Sequence, residues 1–250
     1  MNNTELKITT EESNCRLYRV GSSPYLDIML ADCNTYMDEM IRNKIKVDCI
    51  LTDPPFFTPA THYQSRVSWD KSWSDMSILE TWWRVVIEKM HKILKDDGHI
   101  LVFCNGDSYP VFYPVMFSFW DKLKGMVWDK GHVGLGRIFR NQHELVIWGR
   151  NTGHYVPNDG KLRADVFKYK ATGSKDREHP VEKPTDMLKY LIDATCPENG
   201  IVFDPFMGSG TTGMAAFDLK RNFIGIEKDA KYYEMVKKRF KNFTAQQRLF

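Results

Sequence analysis

The chain has 250 residues, of which 42% are hydrophobic and 13% aromatic, and a formal net charge of +3. That balance excludes a disordered chain, leaves length for one substantial core and is too weakly basic to announce a nucleic-acid partner by itself. No apolar run is long enough to cross a bilayer, and the polar start "MNNTELKITTEESN" lacks a secretory apolar segment, so a single cytoplasmic domain over 1–250 with no membrane partner is expected.

In chain order, apolar and β-branched runs predict strands at 17–20, 25–30 and 47–52. The third, "VDCILT", runs straight into "DPPFF". Neither Pro54 nor Pro55 can donate to a sheet ladder, so the strand stops and Asp53 sits at its carboxyl end. Open α/β sheets bind ligands at that end, and proline's fixed φ would hold Asp53 and Phe56 in one stiff geometry. Asp and Pro are also ordinary turn formers, so these residues alone leave a site and a plain turn both open.

A helix is predicted at 77–94, stopped by "KDDG", and strands at 99–103, 125–128 and 144–148. The stretch 151–178 is rich in Gly, Asn, Asp and Lys and reads as a loop-rich insertion; six basic residues stand against three acids over 161–178, interleaved with Phe167 and Tyr169. Beyond it come a helix at 185–195 after Pro184, a strand at 201–203, a helix at 211–219, a strand at 222–226 and a helix at 230–243, whose "KKRFKNF" reads as a solvated face. Strands alternating with helices of this length predict a mostly parallel α/β sheet with helices on both faces. The five cysteines, Cys15, Cys33, Cys49, Cys104 and Cys196, show no CxxC spacing, and the seven histidines form no HExxH pair, so neither a disulfide framework nor a metal is expected.

"VFDPFMGSGTTGMAAFDLKRNFIGIEKD", 202–229, is a strand, a glycine loop, a helix, a second strand and then an acid. Gly208, Gly210 and Gly213 fit GxGxxG, and Glu227 follows Gly210 by seventeen positions, near the spacing of a ribose-binding carboxylate. Only 37 residues follow Gly213, too few for the further βα units of a dinucleotide domain, so the rest of the sheet must come from earlier sequence. The loop has no Lys, no Arg and no GK[ST] ending, and it opens on Asp204, which suits a cation better than a pyrophosphate. S-adenosylmethionine fits these residues, with a ribose for Glu227, an ammonium for a carboxylate, a sulfonium and no phosphate.

Together the motifs resemble the amino-methyltransferases of DNA, specifically the β-class order in which "DPPF" precedes "FDPFMGSGTT" as though the usual Rossmann-like fold were circularly permuted. "IMLADCNTYMDEM" is similar to the segment whose acid lies near the adenine of the cofactor, which implies that role for Asp32. "HPVEKP" resembles the segment over the methionine end of S-adenosylmethionine, implying contacts from His179, Lys183 and Pro184. "KMHKILKDDGHILVFC" and "VWDKGHVGLGRIFRNQHELVIWG" look like the intervening helix and strands. The resemblance further implies cofactor contacts from Asp53, Asp204, Phe206, Gly208, Ser209, Gly210, Thr211, Thr212, Glu227 and Lys228, with no metal.

The implied reaction is methylation of the N6 amine of adenine in DNA. Asp53 and the carbonyl of Pro54 would accept the two amine hydrogens, with Pro55 completing the turn, while Phe56 stacks on a flipped-out base. Phe56 stands where the family most often has Tyr, so only stacking carries over. DNA contacts are implied for His62, Gln64 and Arg66 in the 57–75 loop and for Lys168, Lys170 and Lys175 in the 151–178 segment, read as a short target-recognition insertion. The resemblance leaves room for a second copy of the chain and a companion restriction enzyme as partners. Cytosine N4 is the rival amine, though that group usually has Ser where this chain has Asp53. A protein-glutamine methyltransferase usually has Asn there and an earlier glycine loop. A non-catalytic nucleic-acid-binding partner and a nicotinamide-dependent dehydrogenase are the alternatives of other classes.

Overall fold

The computed structural model describes residues 4–10, 13–57, 73, 75–134, 138–151, 160–171 and 182–246, with side chains from Leu17 onward. Among them lie β1 (Thr4–Thr10), β2 (Ser13–Val20), β3 (Leu26–Leu30), α1 (Cys33–Arg42), β4 (Val47–Thr52), α2 (Met76–Ile93), β5 (Leu94–Cys104) and α3 (Tyr109–Phe117). They continue with β6 (Lys122–Asp129), β7 (His143–Arg150), β8 (Val166–Lys168), α4 (Thr185–Thr195), β9 (Ile201–Asp204), α5 (Thr211–Asp218), β10 (Asn222–Glu227) and α6 (Ala230–Gln246).

All ten strands form one sheet in the order β1-β2-β3-β10-β9-β4-β5-β7-β6-β8. The centre, from β3 to β5, is parallel, while β7 is antiparallel to both β5 and β6. Apolar stripes at helical spacing decide which face each helix covers. On one face α1, α2 and α3 bury Met37, Trp83 and Phe112, with the Trp83 and Phe112 rings stacked at 4.1 Å. On the other α4, α5 and α6 bury Leu188, Ala215 and Tyr233.

β4 and β9, far apart in sequence, pair in parallel through Cys49 with Val202 and Ile50 with Phe203. From β4 the chain crosses through α2 to β5 on one side; from β9 it crosses through α5 to β10 on the other. The winding therefore reverses between these two strands and leaves a crevice outside their carboxyl ends.

Every predicted strand and helix is present, and four elements were not expected. β1 lies in the polar start of the chain; α1 follows the adenine-side acid; α3, "YPVFYPVMF", contains Pro110 in its first turn and Pro114 inside it. β8 corrects the loop-rich reading of 151–178, because 166–168 pair in parallel with β6 and bury Phe167. "KDDG" does not separate helix from strand: β5 begins at Leu94, and its register against β4 shifts between Val47 and Cys49.

Candidate active site

A cleft of about 770 Å³ opens at the carboxyl ends of the parallel strands, within the size range of small-molecule sites. Asp53, Pro54, Pro55 and Phe56 follow β4 into one wall. Asn105 and Ser108, just after β5, pin that segment: Asn105 Nδ2 donates to the Phe57 carbonyl at 2.8 Å, and the Phe57 N–H donates to Ser108 Oγ at 2.9 Å.

Asp53 is held from behind by Lys183, whose Nζ lies 2.5 Å from Asp53 Oδ2 and 3.2 Å from Glu144 Oε2. Lys130 also reaches Glu144, at 3.4 Å. Burial works to strip Lys183 of its proton, but Asp53 and Glu144 outweigh it and hold the ammonium above its ordinary range. For Glu144, burial opposes ionisation, yet Lys183 and Lys130 keep its carboxyl below the usual range. Burial pushes the Asp53 carboxyl upward, helped by Glu144 and opposed by Lys183. The Lys183 ammonium also lies 4.9 Å from the ring centre of Phe103 and 5.9 Å from those of Phe56 and Trp128. Asp53 Oδ1 is buried and has no hydrogen-bond partner among the described residues. The acid in the cleft wall thus has one oxygen fixed and one free to accept.

Opposite, the glycine loop between β9 and α5 forms the second wall. Asp204 Oδ1 accepts from Thr52 Oγ1 at 2.8 Å and from the Phe206 N–H at 3.1 Å, which joins the ends of β4 and β9. Burial raises its carboxyl to about 7 despite these donors. Gly208, Ser209, Thr211 and Thr212 line the cleft, and Gly210 lies behind it at φ +74°, where a Cβ would stand 2.7 Å from Val236 and 2.8 Å from Phe240. Arg239 of α6 braces the loop, donating to the Ser209 carbonyl at 3.0 Å and pairing with Glu182, which also accepts from Thr211 Oγ1 at 3.1 Å.

At the far end, Glu227 closes β10 and accepts from the Asp229 N–H at 2.8 Å. Burial pushes its carboxyl above the usual range. Asp32 serves two purposes: it lines the cleft and caps α1, accepting from the Asn34 N–H at 3.0 Å. Lys228 stands 3.4 Å from Asp32 and is largely exposed.

The structure therefore brings together Asp32, Asp53, Pro54, Pro55, Phe56, Lys183, Asp204, Phe206, Gly208, Ser209, Thr211, Thr212, Glu227 and Lys228 around one cleft. Gly210 and Pro184 do not line it; Pro184 is the cap residue of α4. His179, His62, Gln64, Arg66 and Lys175 lie outside the described residues. Lys168 and Lys170 are exposed near the end of β8, away from the cleft lining. Sequence reading missed Glu144, whose place in the alternating "HELVIW" looks like any strand residue, and it missed Trp82 and Trp73. Those two rings lie 4.7 Å apart, tilted by 46°, with Trp82 5.7 Å from Phe206, and both line the cleft.

A family model described as DNA methylase matches residues 47–238. The type II methyltransferase M2.MboI of Moraxella bovis is 28% identical over 87% of this chain and 88% of its own length. M2.LlaDCHI, a type II methyltransferase of Lactococcus lactis subsp. cremoris, is 31% identical over 77% and 81%. Among solved structures, the M1.HpyAVI–SAM complex superposes with a TM-score of 0.67 at 26% identity, covering 86% of this chain and 98% of that one. The cytosine-N4-specific PvuII DNA methyltransferase shares the fold, with a TM-score of 0.62 at 14% identity over 90% and 92%. The sheet and its two helical layers are the Rossmann-like methyltransferase fold.

Proposed function

This chain belongs to the DNA methylase family, and on that premise we propose that it uses S-adenosylmethionine to methylate the N6 amine of adenine in DNA. The observation that carries the choice of Asp53 as the catalytic group is its free, buried Oδ1 beside an oxygen fixed by Lys183. An exocyclic amine is a poor nucleophile because its lone pair is delocalised into the ring. Accepting both of its hydrogens, at Asp53 Oδ1 and at the Pro54 carbonyl, favours the pyramidal form and directs the lone pair into the cleft. When the amine gains its methyl group it becomes cationic and loses one proton, so Asp53 need not be a strong base.

The residues present fit the cofactor. A cleft of about 770 Å³ with carboxylates of Asp32, Glu227, Asp204 and Asp53 along it suits an adenosine at one end and a cationic amino acid at the other. S-adenosylmethionine supplies a methyl group activated on a positively charged sulfonium. Glu227 would hold the ribose hydroxyls and Asp32 would lie near the adenine. Phe56, half-buried beside Asp53, would stack on the flipped target base. We read the order of the motifs as the β class. Asp53, where cytosine N4 enzymes usually have serine, is what favours adenine. A second copy of the chain and a companion restriction enzyme are the protein partners this reading admits.

Expression in a host without adenine methylation, followed by mapping of modified bases, tests the proposal. N6-methyladenine at a defined site is expected, and N4-methylcytosine would overturn the choice of base. Asp53→Ala should abolish modification while the fold, followed by circular dichroism, stays intact. Near-normal turnover would refute the role of the acid.

A further inference from the structure

The turn between β6 and β7 carries two of the most exposed large apolar side chains in the described structure, Ile138 at 88% and Phe139 at 96%. They stand on a built foot. The Lys130 N–H donates to the Gln142 carbonyl and the Gly134 N–H to the Asn141 carbonyl, each at 2.9 Å, and Arg140 Nε donates to the Gly134 carbonyl at 2.6 Å. Asp129 Oδ1 accepts from the Gly131 N–H at 2.8 Å and from Gln142 Nε2 at 3.0 Å. Lone exposed apolar residues are common, but an adjacent pair raised on a hydrogen-bonded hairpin is a surface made for a partner.

Topology says which surface it is. β6 is antiparallel to β7, and β7 is antiparallel to β5, so β6 runs in the direction of β5 and the hairpin emerges at the edge that carries Asp53. At the hairpin's base Glu144 binds Lys183, which binds Asp53. Phe139 is five residues from Glu144, a reach of at most about 18 Å, comparable with the width of a duplex. The flanks are cationic: Arg140 lies in the turn, and Lys168 and Lys170 are exposed at the matching end of β8, which is parallel to β6. The neighbouring acids are met, Asp129 by Lys168 at 4.0 Å and Glu144 by Lys130 and Lys183.

We propose that this hairpin is a DNA wedge: Phe139, backed by Ile138, enters the base stack beside the flipped adenine while Arg140, Lys168 and Lys170 hold the flanking phosphates. Apolar side chains inserted between base steps are a known device: they unstack the step, and the contacts that the opened duplex makes with the protein offset that cost. The inference rests on the proposed adenine reaction. It is tested with the double variant Ile138→Ala/Phe139→Ala on two duplexes carrying the chain's own methylation site, one fully paired and one with an abasic residue opposite the target adenine.

The variant should lose on the order of tenfold or more in turnover on the paired duplex and less than about twofold on the abasic-opposed one, where no base pair has to be broken. Unchanged S-adenosylmethionine affinity shows that the variant is folded. Equal loss on both duplexes, or no loss on the paired one, overturns the wedge. So does conversion of a wild-type dimer into a monomeric variant, which would assign the tip to a second copy. Wild-type turnover on either duplex reports the adenine reading by itself, and the ratio between duplexes reports the wedge.

Discussion

Asp204 is a carboxylate that the protein both shields from water and supplies with donors. Burial wins, and its pKa rises from 3.8 to about 7. A raised acid contributes its stability fully below its unfolded value and loses it as pH climbs through the folded value. Wild-type stability should therefore fall relative to Asp204→Asn between about pH 4 and pH 7, by up to a few kcal/mol, in denaturant titrations run across that window. Affinity for a cationic ligand should move the other way, with S-adenosylmethionine binding tighter to wild type as pH rises through about 7. Parallel stability curves for the two proteins would show that Thr52 and the Phe206 N–H keep Asp204 ionised throughout. The places of Asp53 and Asp204 at strand ends were legible because prolines follow them, and that of Glu227 from its spacing after the glycine loop. Glu144 was not: its meaning depends on Lys183, 39 positions away, and nothing local distinguishes it.

At the scale of elements, α5 depends on a missing side chain. Gly213 lies within the helix, where alanine would normally gain about 1 kcal/mol of propensity. A Cβ there would stand 2.6 Å from Phe240 and 2.7 Å from Phe223, both rings fully buried. Overpacking of that kind costs roughly 1–3 kcal/mol, so Gly213→Ala should lower the thermal midpoint rather than raise it. An increase would show that α6 can move aside. The third glycine of the motif thus sets the approach of α5 to β10 and α6. Helices with a clean apolar stripe, α2 and α4, were readable from periodicity alone. α3 was hidden because proline usually signals a break, and β8 because three residues show no pattern until β6 lies beside them.

At the scale of the molecule, the described part of the proposed recognition insertion is fastened to α4. Arg163 pairs with Asp193 of α4 at 2.8 Å, and the Tyr190 hydroxyl donates to the Ala164 carbonyl at 3.1 Å. On the proposed reading, its exposed lysines would hold phosphates without reading bases. Replacing Lys168 and Lys170 together with Gln should weaken binding to all DNA sequences and flatten the plot of log affinity against log salt by roughly 1.8. An unchanged slope would remove this edge from the DNA interface. The parallel centre of the sheet was foreseeable from alternating elements, whereas its antiparallel flanks make the whole sheet mixed, and the strand order rests on pairings between distant segments that no window of sequence contains. The position of β9 and β10 between β4 and β3 has a consequence for biosynthesis. While the ribosome is making the first eight strands, a two-strand gap stands open at the centre of the sheet, with bare backbone on both lips. A nascent chain in that state lacks the glycine-loop wall of the cleft and should be prone to aggregate until β9 and β10 fill the gap.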